Sequence, residues 1–255
     1  MTFRQSPSPQ GVSICTSQSL RRFDLPLLRS LSKQYAIAQW EYCQDPDEPL
    51  DVNLAISSLH EYLQNCPDSV HLVGHGIAGL VGWLYARKCP EYVKSLTLLS
   101  VGVNLANSWH SNYYRQRQLI SCSREIILKR TAFYLFGYRD KEMLHWLADL
   151  LKQDLDNSLI PFSCYPSVAP MAPSIITVPM LVCGAMDDDI FSNDGANTYQ
   201  KWRPYLKDQD RLWLSEQGKH FFHFNQWQAV NNQLRTFWQS LNLVTTCQHQ
   251  AINSR

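Results

Sequence analysis

The hydrophobic pattern of the chain alternates between two periods. Short apolar runs of strand length recur at Val12–Cys15, Tyr35–Trp40, Val70–Val73, Ser95–Val101, Ile175–Gly184 and Arg211–Leu214. Between them the apolar positions fall at helical spacing. Leu25, Leu27, Leu28 and Leu31 predict one helix, and a second is expected from Asp51, a plausible N-cap, to about Gln64. A third is expected over Ile77–Lys88, stopped by Cys89-Pro90 because the residue before proline avoids α geometry. Helices over Asn193–Lys201 and Gln226–Leu241 complete the series. Strand and helix in turn are the signature of a parallel sheet covered on both faces.

One segment breaks the alternation. From Asn104 to about Ser174 the chain is polar and helical, with its strongest candidates at Ser123–Phe136 and Asp140–Asp154. The proline-rich IPFSCYPSVAPMAPS (160–174) closes it, so the segment reads as an insertion in the sheet. The expected organisation is a flexible arm over 1–10, a core built from 11–102 and 176–243, a helical insertion over 103–175, and a disordered tail over 244–255.

Composition narrows the function more than the fold. With 23 basic and 22 acidic residues the net charge is +1, which gives no reason to expect a nucleic-acid partner. None of the eight cysteines forms a C-x-x-C pair or a zinc-like spacing with histidine, so no metal and no cofactor is expected. Cysteines within apolar runs read as reduced thiols, which points to the cytoplasm. The opening MTFRQSPSPQ lacks the apolar core of a signal peptide, and no stretch approaches 18 apolar residues, so no transmembrane segment is expected.

Three strings carry candidate chemistry, each just past a strand, where open α/β sheets place their ligands. They are Gly74-His75-Gly76-Ile77-Ala78-Gly79, Cys183-Gly184-Ala185-Met186-Asp187-Asp188-Asp189, and Gly218-Lys219-His220-Phe221-Phe222-His223. The first overlaps a dinucleotide fingerprint, but Gly79 comes one residue too early and no acid closes the next strand. Together the three resemble the α/β-hydrolase superfamily over roughly residues 12–243. Its order is Gly-x-Ser-x-Gly, then an acid, then a histidine.

The resemblance implies an α/β fold: an open, mostly parallel sheet of about six strands flanked by helices, with the insertion as a helical cap. It assigns His220 as base and Asp187 as its orienting acid, with Asp189 as the fallback. Gly76 stands at the nucleophile position. Ile77, Thr16 and Ser17 fall at the oxyanion positions, and His75 lies beside the apex. His223 reads as a packing histidine.

The departures matter more than the matches. Gly76 occupies the serine position, which keeps the turn and deletes the attacking oxygen. The loop that supplies the family's second oxyanion amide reads Cys15-Thr16-Ser17-Gln18. Losing a triad nucleophile removes on the order of 10⁶ from kcat, about 8 kcal/mol of barrier. Cys15, Thr16 and Ser17 are the local candidates to replace it. Two classes of function follow. One is binding: a small apolar or amphipathic ligand under the cap, or a protein partner on a basic face carrying Arg115, Arg117, Arg124, Lys129, Arg130 and Arg139 against Glu125. The aromatic residues among those charges, Tyr113, Tyr114, Phe133, Tyr134 and Phe136, are alternatively the roof of the pocket. The other class is a hydrolase, lyase or isomerase that uses His220 and Asp187 without a covalent intermediate.

Overall fold

The computed structural model describes residues 8–43, 51–103, 108–157, 176–190 and 196–253; beyond residue 243 only the backbone is described. Residues 1–7 of the expected arm, and the stretches 104–107 and 158–175 at the edges of the insertion, lie outside the described residues.

Six strands form one sheet: β1 (Gly11–Cys15), β2 (Ile37–Glu41), β3 (Val70–His75), β4 (Val93–Leu99), β5 (Met180–Ala185) and β6 (Arg211–Ser215). They lie in the order β2-β1-β3-β4-β5-β6, and every pairing is parallel. The central strands are apolar on both faces, as a doubly covered sheet requires. In β5, Met180 and Val182 face one layer, while Leu181, Cys183 and Ala185 face the other.

The first layer holds α2 (Val52–Gln64), α3 (Ile77–Lys88) and α7 (Ala196–Gln200), with Leu59, Val81, Tyr85 and Tyr199 fully buried. The second holds α1 (Leu25–Leu31) and α9 (Trp227–Asn253), which bury Leu27, Leu31, Leu234, Phe237 and Trp238. Asp51 caps α2 as expected, its carboxylate accepting from Asn53 N–H at 2.9 Å. Between β4 and β5 lie α4 (Trp109–Leu119), α5 (Arg124–Phe136) and α6 (Lys141–Asn157). These three form their own apolar cluster, which also takes in Leu20, Phe23 and Phe221 from the ends of the sheet. The short α8 (Phe222–Asn225) leads into α9.

Several expected boundaries move. β5 starts at Met180 rather than Ile175, just after Pro179, and β2 starts at Ile37. The helix α4 does not stand out in the apolar pattern, because most of its face is polar; Ser108 and Ser111 start it with a reciprocal capping box. The backbone of α9 continues helical to Asn253, through residues that include no glycine or proline to stop its propagation.

The α9 face buries a titratable group. The His71 ring stacks on Trp238 at 4.4 Å, and its Nδ1 lies 2.6 Å from Ser95 Oγ. Burial, reinforced by the nearby Lys94 charge, lowers its pKa from 6.5 to about 3. The folded protein therefore refuses a proton that the unfolded chain accepts. Stability is fully present above pH 6.5 and is lost as the pH falls toward 3. Between pH 8 and pH 5 this one side chain should withdraw about 2 kcal/mol. Urea unfolding at the two pH values should show that difference shrinking by this amount in His71→Gln; an unchanged difference would rule the assignment out.

Candidate functional site

The strand order changes direction between β1 and β3: from β1 the chain passes to β2 on one side, then returns to β3 on the other. Such a switch point opens a crevice at the carboxyl ends of the strands. A cavity lies there, walled by the end of β1 and the loop after it, by the β3–α3 turn, by His220, and by Trp109 and His110 of α4. Gly76, Ile77, Thr16, Ser17, His75 and His220, singled out in the sequence, all line it.

Gly76 is the single residue between β3 and α3, at φ 53° and ψ −120°, with its N–H donated to Leu99 O at 2.9 Å. This is backbone that L side chains rarely adopt. A Cβ on Gly76 would meet nothing within 4 Å, so there is open space here for a side chain. The close approach that seats the helix is elsewhere. A Cβ on Gly74 would lie 2.5 Å from Gly79 N, and one on Gly79 would lie 2.7 Å from Gly74 O. Ala78, standing where the superfamily pattern has its second glycine, is accommodated without exposure. As the first residue of α3, Ile77 presents an N–H with no acceptor inside the helix.

The acid is Asp188. His220 Nδ1 lies 2.9 Å from Asp188 Oδ2, and both side chains are buried. This corrects the expected pairing with Asp187. After β5 the chain turns, with Asp188 N–H bonded to Ala185 O at 3.3 Å, and the turn carries Asp188 inward. Its carboxylate also accepts from Tyr199 Oη at 2.6 Å and from Ile190 N–H at 3.0 Å. Burial pulls the Asp188 pKa upward. His220 and these hydrogen bonds outweigh that pull and hold the carboxyl below its ordinary range, so it is a carboxylate at neutral pH. Gly184 makes room for this arrangement, since any Cβ there would sit 2.4 Å from the Tyr199 ring.

Asp187 has a different task. It accepts from the backbone N–H of Lys219 at 2.9 Å, where Lys219 is a non-glycine residue at φ 59°. It thereby clamps the loop that carries His220. The fallback Asp189 is spent on Lys219 Nζ at 2.9 Å.

The His220 backbone is fixed as firmly as its ring. Its carbonyl accepts from Ser100 Oγ at 2.6 Å and from His75 Nε2 at 3.1 Å. Burial first, then the neighbouring His223 and His220, push the His75 pKa well below 6.5, so His75 serves as a neutral donor. His223 packs against the His75 ring at 4.5 Å, and its Nε2 lies 2.9 Å from Asp24 Oδ1.

Cys15, Ser17 and Ser108 at the cavity are engaged elsewhere. The Cys15 thiol is pushed up to about 12, mainly by burial, and donates to Ser17 O. Ser17 Oγ donates to Asp154 Oδ1, and Ser108 Oγ caps α4. The expected aromatic roof is also corrected. Tyr113 and Phe136 are buried in the apolar cluster of α4–α6, and α4 turns Trp109 and His110 to the cavity instead. The basic residues of this layer mostly have partners close by. Arg124 pairs with Asp156 at 2.7 Å, Lys129 with Glu125 at 2.6 Å, and Arg139 lies over the Phe133 ring.

Among the described residues, no group of three or more His, Cys, Asp or Glu side chains is placed to hold a metal ion. Among them, too, no helix is long and apolar enough to cross a membrane. Sequence reasoning missed Asp188, Tyr199, Ser100, His110 and Asp154; of these only Asp188 stood within a string that carried a signal.

No protein-family model matches the chain. It is 42% identical over 225 residues to the uncharacterized protein sll0249 of Synechocystis sp., covering 88% of each chain. It is 39% identical over 230 residues to the uncharacterized protein alr2406 of Nostoc sp., covering 90% of each. Among solved structures it is similar to a putative lipase, lip1, of Acinetobacter baumannii AYE. The TM-score is 0.71 at 18% identity, over 94% of this chain and 86% of that one, a likeness of fold.

Proposed function

Because the chain belongs to one family with the Synechocystis and Nostoc proteins and has the α/β-hydrolase fold, we propose that it acts by binding a small amphipathic molecule in this cavity and forms no acyl-enzyme. One observation carries the reading: the elbow holds the geometry of a nucleophile with no atom to attack. The nearest thiol, Cys15, is a neutral S–H at physiological pH, and Ser17 and Ser100 donate their hydroxyls away from the imidazole. The helices α4–α6 act as the cap over the bound molecule. In this reading the groups that serve to bind are the Ile77 amide and the apolar wall. The six described cysteines are free thiols, which suits the cytoplasm. A protein partner on the cap surface has less support, since several of its cations are already paired.

A second reading rests on a different observation, the buried Asp188–His220 pair. Donation of Nδ1–H to Asp188 leaves the lone pair on Nε2, the arrangement of a general base. Water at the open position beside Gly76 is then the nucleophile of a hydrolase, or a substrate C–H the proton source of a lyase or isomerase. His220→Ala separates the two, abolishing function in the second reading and sparing ligand binding in the first.

The direct test uses a fluorophosphonate probe, which labels only an activated nucleophile. Wild type should stay unlabelled while Gly76→Ser is labelled, with a further His220→Ala change slowing the reaction about 10²–10⁴-fold. Serine fits the open space but must accept the positive φ. The variant should therefore lose about 1–3 kcal/mol, lowering Tm by about 2–4 °C per kcal/mol. Labelling of wild type that disappears in His220→Ala would overturn the proposal.

A further inference from the structure

Across the cavity from His220 stands a second polar group that the superfamily pattern does not explain. Asp154 of α6 is 1% exposed, and its partners include two groups at the cavity: Ser17 Oγ, from the loop after β1, donates to Oδ1, and His110 Nε2 of α4 lies 2.9 Å from Oδ2. A carboxylate only accepts, so His110 Nε2 carries a proton, and the tautomer this selects has its lone pair on Nδ1. The ring is held in place by Asp154 and by stacking on Trp109 at 3.8 Å. His110 is 4% exposed and lines the cavity, yet its Nδ1 is buried without a hydrogen-bond partner. A buried acceptor left unpaired costs about 1–3 kcal/mol, and one fixed this firmly in a cavity wall invites a donor from the occupant. The surrounding wall is apolar, with Ile14, Leu20, Leu80, Val101 and Phe221.

We propose that His110 Nδ1 is the specificity-determining acceptor for a hydroxyl group on the bound molecule, so that the cavity selects an apolar alcohol. The proposal rests on the reading of this cavity as a ligand site and adds the chemical class of the ligand. The alcohol body fills the apolar wall, its O–H donates to Nδ1, and the Ser17–Asp154–His110 chain fixes the acceptor before binding, so little ordering is lost on association.

The test compares each alcohol with its methyl ether, which keeps shape and oxygen but removes the donor. Phenol with anisole, and 1-naphthol with 1-methoxynaphthalene, are titrated calorimetrically into the full-length protein. Each alcohol should bind at least about tenfold tighter than its ether. In His110→Phe the ratio should fall to about one. Because that variant takes one donor from the buried Asp154 carboxylate, His110→Phe/Asp154→Leu is measured beside it, replacing the buried pair by apolar groups. Equal binding of alcohol and ether by wild type, or a preference that survives in the double variant, would refute the hydroxyl assignment alone. Failure of all four probes to bind at millimolar concentration would refute the ligand-site reading itself, and this proposal with it.

Discussion

Replacing Asp188 by alanine should destabilise the protein by about 3–5 kcal/mol, the cost of breaking a buried charged pair from one side. The same change at Asp187 should cost about 0.5–1.5 kcal/mol, the worth of one hydrogen bond. The contrast follows from burial and partner count. The Asp188 side chain is fully buried, and its loss removes the acceptor of His220 Nδ1–H, the Tyr199 hydroxyl and the Ile190 amide together. Asp187 is a third exposed and holds one backbone amide, with Lys219 Nζ 3.8 Å away. At about 2–4 °C per kcal/mol, thermal unfolding should separate the two variants clearly. In the Gly76→Ser background, only Asp188→Ala should abolish fluorophosphonate labelling, because only Asp188 orients the imidazole. If Asp187→Ala proved the more damaging in both assays, Asp187 would be restored as the orienting acid.

Gly74→Ala should cost about 3 kcal/mol, the upper end of the range for overpacking. The added methyl would lie 2.5 Å from Gly79 N, 2.6 Å from Ala78 C and 2.7 Å from Ala78 O. All three are backbone atoms of the first turn of α3, and no rotamer change can clear them. The helix must lift from the strand, which tilts the elbow and moves the Ile77 amide out of the cavity wall. Placed in Gly76→Ser, the same substitution should remove the labelling that the serine confers. The control is Gly76→Ala, whose methyl enters open space and whose cost comes from backbone strain alone. Circular dichroism melts of the three proteins, with labelling of the serine variants, would decide it. A Gly74→Ala protein as stable as wild type would mean that α3 does not rest on this contact.

Much of the architecture was legible in the residues. The alternation of apolar runs and helical spacing recovered the strand and helix order. The elbow was visible because a strand, one glycine and a helix follow one another without a break from Val70 to Lys88, and His220 because its loop follows the last strand. These signals are local: side-chain period, proline stops and turn residues act between neighbours in the chain. Three adjacent aspartates, by contrast, are equivalent in a sequence. One backbone turn after β5 decides which of them faces inward, and the Tyr199 hydroxyl from another element confirms that choice energetically.

What the sequence by itself determined, then, was the element order, the elbow and the glycine at its apex, Gly76. The tertiary structure alone decided the strand order that opens the cavity, the choice of Asp188, and the meeting of Ser17 with Asp154 across 137 residues of chain. The physical reason is the range of the forces. Periodicity and turn preference are set within a few residues, whereas a buried carboxylate takes whichever donors the packing of distant elements delivers to it.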